Sequence, residues 1–125
     1  MTIKILAIDD SRTIREMLRH SLGQVGFDVT LAEDGIAGLE EVAKIKPDVV
    51  ITDINMPRLD GFGVIDGIRQ GHDHPRVPIL VLTTESGDEL KNRARKSGAT
   101  GWIVKPFDDG KLISAIRRIA SVQPQ

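Results

Sequence analysis

The sequence predicts an α/β domain built on a parallel sheet, and two observations carry that reading. Five short apolar runs recur along the 125 residues, each followed by a segment with helical spacing or helix-stop signals. Three of the runs, "VVIT", "ILVL" and "WIVK", are nearly continuous and rich in β-branched residues. Continuous runs suit strands covered on both faces, whereas half-exposed antiparallel strands alternate. Alternating β and α units imply right-handed crossovers and a three-layer domain.

The first run, Ile3–Ile8, ends on two adjacent acids, Asp9 and Asp10. "TIREMLRHSLGQVG" then sets Ile14, Met17, Leu18, Leu22 and Val25 on one stripe. It opens with Thr13 and Glu16 in capping-box spacing and stops at Gly26. The second run, Phe27–Ala32, leads through "AEDG" into "DGIAGLEEVAKIKP", which carries Ile36, Leu39 and Ala43 on one face and ends before Pro47. The third, Val49–Thr52, stops at Asp53. The segment after it, "DGFGVIDGIRQG", is the weakest helix, because Gly61, Gly63 and Gly67 lower its propensity. The fourth run, Ile79–Leu82, ends at Thr83 and Thr84. "SGDELKNRARKSG" follows with a second capping-box spacing, Ser86 to Glu89, and little apolar surface beyond Leu90 and Ala94. The fifth, Gly101–Val104, ends at Lys105 and Pro106, and "DDGKLISAIRRIA" spaces Leu112, Ile113, Ile116 and Ile119 for a helix. No linker, repeat or low-complexity tract breaks the series, so residues 1–125 read as one domain without a separate output domain.

Composition narrows the function. The chain is 40% hydrophobic and 28% charged, a balance that supports a buried core. Seventeen basic against eighteen acidic residues leave a net charge of −1, which argues against nucleic acid or an anionic membrane as the main partner. The absence of cysteine excludes disulfides, thiolate metal sites and cysteine nucleophiles. The N-terminal stretch lacks the pattern of a signal peptide, and no apolar run approaches the ~18 residues of a membrane span. A monomeric cytoplasmic domain is the expectation.

In an open α/β sheet, ligands bind outside the carboxyl ends of the strands. Asp9, Asp10, Asp53, Thr83, Thr84 and Lys105 all fall there if the sheet is parallel. Three close carboxylates repel or share protons unless a cation sits among them. Oxygen ligands with no cysteine or nearby histidine favour Mg²⁺, which keeps waters or phosphate oxygens in its shell. A phosphoryl group would fill an open position, with Lys105 offsetting its charge and Thr83 donating a hydrogen bond. Asp53, single and at the end of a core strand, is the candidate nucleophile.

Taken singly, each residue has a plainer reading. Asp9 and Asp10 could be helix-entry acids contributing roughly 0.3–1 kcal/mol each. Asp53 could be a loop acid, Lys105 a solvated lysine, and Thr83 a strand-end hydroxyl. Their convergence on one edge overturns those readings. His20, His72 and His74 lack metal spacing, "DELKNRARK" reads as a solvated helix face, and "EDGIAG" lacks the glycine spacing of a phosphate loop.

The ordered set Asp9-Asp10, Asp53 in "DINMPRLDG", Thr83 in "LTTE" and Lys105 in "KPF" resembles the receiver domain of two-component response regulators, over essentially the whole chain. Within that family it is most similar to single-domain chemotaxis regulators of the CheY type. The resemblance implies a flavodoxin-like (βα)5 fold with strand order 2-1-3-4-5, an order taken from the family and not from the residues. It implies that Asp53 accepts a phosphoryl group from a histidine kinase, with Thr83 and Lys105 contacting that group. Mg²⁺ would be held by the side chains of Asp10 and Asp53, by Asp9 through water and by the Asn55 carbonyl. The Lys105–Pro106 peptide would be cis, aiming the lysine.

Signal output in the family couples Thr83 to the aromatic residue three positions before the lysine, here Trp102, and alters a surface of the fourth helix, fifth strand and fifth helix. Asn55 and Glu85 match the CheY pattern at positions that tune hydrolysis, which implies a short-lived signal. Two residues depart from the family. Trp102 is bulkier than the usual Tyr or Phe and lacks a phenolic hydroxyl, and Thr84 is larger than the small residue often found there. The implied function is a phosphorylation switch, not a metabolic enzyme. Its partners would be a flagellar motor switch protein and a phosphatase. The alternative is a phosphate sink or an adaptor with no output response. An aspartyl phosphatase would place a second acid where Asn55 stands, and flavin binding would need a phosphate-cradling first loop.

Overall fold

A computed structural model of the chain describes residues 2–120. Five βα units follow one another: β1 (Lys4–Ile8), α1 (Arg12–Gln24), β2 (Asp28–Ala32), α2 (Gly35–Ile45), β3 (Val49–Thr52), α3 (Gly61–Gln70), β4 (Ile79–Thr83), α4 (Asp88–Ser97), β5 (Gly101–Val104) and α5 (Asp109–Ala120). All strand pairs are parallel, and the order is β2-β1-β3-β4-β5. This is the flavodoxin-like (βα)5 order that the resemblance implies.

Alternate residues of each strand feed opposite layers. Leu6, Ile8, Val50, Ile79 and Val81 pack with α2, α3 and α4 through Val42, Phe62, Ile65, Ile68 and Ala94. Ile5, Ala7, Ile51, Leu80 and Leu82 pack with α1 and α5 through Leu18, Leu22, Leu112 and Ile116. Both faces of β1, β3 and β4 are therefore covered, which is why their sequences are continuous apolar runs. The expectation fails for β5. It forms an edge, its residues are half-buried and Val104 is exposed, because only β4 flanks it.

Register positions the site. Ile8 pairs with Thr52, and Thr83 pairs with Val104. The ladders continue one residue further, Asp53 N donating to the Ile8 carbonyl at 3.1 Å and Lys105 N to the Thr83 carbonyl at 2.8 Å. Asp9 and Asp53 thus leave the sheet from adjacent strands.

Several local expectations need correction. The capping boxes at Thr13 and Ser86 do not form. The α1 helix is capped by Ser11, whose hydroxyl accepts from Ile14 N at 3.3 Å, because the turn after β1 is tight enough to place the cap two residues before Thr13. In α4 the cap is Gly87, with no side-chain bond, and Asp88 and Glu89 in the first turn complement the helix dipole. The apolar stripe of α1 is narrower than its sequence suggests: Met17 is 45% exposed and Val25 is exposed too. On α2 the buried face is Gly35, Gly38 and Val42, while Ile36, Leu39 and Ala43 are only half-buried. A Cβ on Gly38 would come within 2.9 Å of Ile8 Cγ1, so a bare backbone lets the helix rest on β1. The weakest-looking helix, α3, forms despite its glycines. Its first residue, Gly61, donates to the Ile54 carbonyl at 2.8 Å and leaves no room for a Cβ against the Asp53 carbonyl. Among the described residues, no helix is long and apolar enough to cross a membrane.

Candidate functional site

The sheet delivers Asp9 and Asp53 side by side, and Lys105 reaches them from β5. Its ammonium donates to Asp9 Oδ2 at 2.7 Å and to Asp53 Oδ2 at 2.9 Å. The other oxygen of each acid is held by a backbone amide: Asp9 Oδ1 accepts from Ser11 N at 2.9 Å, and Asp53 Oδ1 from Ile54 N at 2.6 Å. Both carboxylates are buried, at 2% and 8% residue exposure, while Asp10 faces solvent. Arg15 donates to the Asp9 carbonyl at 2.8 Å and fixes the turn from below.

The electrostatics follow from burial. Desolvation raises the Asp9 carboxyl above its ordinary range, and the hydrogen bond from Lys105 only partly opposes it. Burial alone would lower the Lys105 ammonium, but its hydrogen bonds to Asp9 and Asp53 and their charges outweigh it, so it is raised and stays protonated. One ammonium set against three carboxylates leaves a formal −2 at the site. Oxygens of Asp9, Asp10 and Asp53 all lie within 4.8 Å of one another, a hard-oxygen set that suits a divalent ion.

The remaining expected residues surround this core. Thr83 is fully buried at the end of β4, its hydroxyl oxygen accepting from Glu85 N at 3.4 Å. Thr84 is exposed. Asn55, also exposed, donates from Nδ2 to Glu85 Oε1 at 3.1 Å. Trp102 packs against the α2–α4 side of the core and donates from Nε1 to the Glu85 carbonyl at 3.0 Å. With Asp88, Lys91, Arg95 and Thr100 it lines a cavity of about 480 Å³ between α4 and β5. The Lys105–Pro106 peptide is cis. Eight of the nine expected site residues lie on or beside the carboxyl edge of the sheet, while Trp102 sits mid-strand in β5 opposite Val81 and reaches that edge through its bond to Glu85. His74 is structural, with Nε2 2.9 Å from the Pro47 carbonyl.

Sequence reasoning missed the supports. Asp34 caps α2 through Ala37 N at 2.8 Å, and its second oxygen pairs with Arg58 at 3.0 Å, tying down the loop that follows Asp53. Arg58 itself adopts φ +69°. An acid one residue before a helix is a legible cap, but nothing in the sequence announces its pairing with Arg58.

A parallel (βα)5 sheet with a lysine shared between two carboxylates at its carboxyl edge defines a class, the receiver domains. Residues 5–117 match the response regulator receiver domain family, and the chain belongs to it. Among particular relatives, it is 41% identical to response regulator MprA of Mycobacterium leprae (strain TN) over 94% of its own length and 50% of the relative's. The chain thus spans about half the length of the curated relatives it matches. The structure of Vibrio cholerae chemotaxis protein CheY4 aligns with a TM-score of 0.90 at 40% identity, covering 95% of this chain and 99% of that one. The receiver domain of sensor histidine kinase PA1611 from Pseudomonas aeruginosa, determined with a magnesium ion in its active-site cleft, aligns with a TM-score of 0.89 at 26% identity over 97% and 99%.

Proposed function

We propose that the chain is a phosphorylation switch in which Asp53 accepts a phosphoryl group from a histidine kinase. The observation that carries this reading is the Lys105 ammonium shared by Asp9 and Asp53, a fixed cation beside a buried carboxylate. In the forward step an Asp53 oxygen forms the bond to phosphorus as the donor's N–P bond breaks, its electrons going to the departing imidazole. The product carries about −1.5 to −2 charges, which Lys105 offsets while the Thr83 hydroxyl donates to a phosphoryl oxygen. Asp10 and Asp53 through their carboxylates, Asn55 through its carbonyl and Asp9 through water would hold Mg²⁺. When bound, that ion neutralises the acids and the transferring oxygens. Hydrolysis returns Asp53 to a free carboxylate, with Asn55, Glu85 and Thr84 at the rim setting its rate.

Output runs through Thr83 and Trp102 to the surface of α4, β5 and α5. A flagellar motor switch protein is the proposed partner, supported by the 40% likeness to a chemotaxis protein. The chain acts as a cytoplasmic monomer, and a phosphatase shortens its signal.

A thermal melt followed by Trp102 emission tests the acceptor, with and without Mg²⁺ plus beryllofluoride, beside Asp53→Ala. A ligand at 100 times its dissociation constant should stabilise the native state by about 2.7 kcal/mol, roughly 10 °C here. The shift should need both additives and vanish in the variant. No shift at saturation would overturn the reading.

A further inference from the structure

We propose that Trp102 sets the lifetime of the phosphorylated state by holding Glu85 in place at the rim of the site. This rests on Asp53 being the acceptor. Three elements meet at Glu85. Its backbone N–H reaches the Thr83 hydroxyl at 3.4 Å, its carbonyl receives the Trp102 indole N–H at 3.0 Å, and its Oε1 receives the Asn55 amide at 3.1 Å. The Thr83 bond is long, and the Asn55 bond joins two side chains at the solvent boundary. The indole bond is partly buried and comes from a ring packed on the core.

Among the described residues, no other hydrogen bond holds Glu85. Ser86 and Gly87 are exposed, and α4 begins without a side-chain cap. Among the described residues no donor reaches Glu85 Oε2, so that oxygen is free to accept from water beside Asn55. In hydrolysis a water oxygen adds to phosphorus, the Asp53 O–P bond breaks with its electrons returning to the carboxylate, and phosphate leaves with one of the water's protons while the other passes to solvent. A carboxylate anchored at its backbone and at one oxygen is preorganised to orient that water, and orientation is lost when an anchor goes. Trp102 touches neither phosphoryl group nor water in this scheme. It is a positioning residue acting through Glu85.

The test uses the whole chain, phosphorylated with phosphoramidate and Mg²⁺, freed of donor, and followed by phosphate-affinity electrophoresis. Glu85→Ala should slow decay about tenfold. Trp102→Phe keeps a ring but loses the N–H, and should slow decay about threefold. Trp102→Tyr restores a donor at the far edge of the ring and should decay near the unaltered rate. The double variant Trp102→Phe/Glu85→Ala should be no slower than Glu85→Ala alone, because the two act through one group. Melting curves confirm that each variant folds; a merely structural role for the ring would lower melting temperature and leave decay unchanged. Unaltered decay in Trp102→Phe, or effects that multiply in the double variant, would overturn the proposal. Failure of the unaltered chain to take up phosphate at Asp53 would instead overturn the acceptor reading, and this inference with it.

Discussion

Replacing Arg69 with methionine should remove about 3 kcal/mol of stability and release the far end of α4. The Arg69 guanidinium donates to the Gly98 carbonyl from Nε at 3.1 Å and from Nη2 at 2.7 Å. Its Nη1 donates to the Val77 carbonyl at 2.7 Å and to the Pro75 carbonyl at 2.8 Å. One side chain thus joins the last turn of α3, the entry to β4 and the C-terminus of α4. Hydrogen bonds from a charged donor contribute about 1.5–3 kcal/mol each. The Pro75 carbonyl is exposed and regains water, which leaves Gly98 and Val77 to count. Burial lowers the Arg69 pKa, so desolvation opposes the charge and the lower figure applies, about 3 kcal/mol for two carbonyls. Methionine preserves the apolar stem, so packing loss stays small. Urea unfolding should show a lower midpoint at unchanged slope, and melting should fall by roughly 10 °C. Arg69→Lys should recover less than half, since an ammonium cannot fork between three carbonyls. A loss under about 1 kcal/mol, or full recovery by lysine, would refute this account.

The remaining expectations concern the site and its supports. Gly61→Ala would force a Cβ to about 2.8 Å from Ile54 Cα and still closer to the Asp53 carbonyl; it should cost 1–3 kcal/mol or more and weaken beryllofluoride binding, roughly as overpacking does. Asp9→Asn should raise the melting temperature at pH 7 in chelator. Burial raises the Asp9 pKa in the folded state, so its stabilising contribution is present below the unfolded value and is lost as pH rises through the folded one. The gain from asparagine should therefore vanish below about pH 4, and a destabilised variant at pH 7 would contradict the sign. Ser11→Ala should cost about 1 kcal/mol in urea unfolding and Thr13→Ala under about 0.5 kcal/mol, because Ser11 makes the cap.

The order of strands and helices was legible because apolar periodicity reports burial, and burial on both faces dominates β1, β3 and β4. The site was legible for a different reason: parallel strands bring every strand end to one edge, so sequence position alone gathered Asp9, Asp53, Thr83 and Lys105. Hydropathy was silent where backbones touch. Gly38 against Ile8 and Gly61 against Asp53 read as weak helix formers, yet each permits the contact that seats its helix. Capping signals misled at Thr13 and Ser86, since a box pattern competes with whatever the preceding turn dictates. Long-range partners such as Arg69 with Gly98, or Arg58 with Asp34, leave no local trace.

The Lys105 bridge also fixes when the proposed acceptor site is complete. The lysine stands 96 residues from Asp9 and 52 from Asp53, and it follows the last strand to be made. A nascent chain that has emerged through α4 already presents both acids and Thr83 but has no ammonium to hold between them. Its two buried carboxylates would meet without a counter-charge until β5 takes its place on the sheet edge. On the proposed acceptor reading, ribosome-bound intermediates should therefore resist premature phosphorylation, because closing the sheet is also what completes the site.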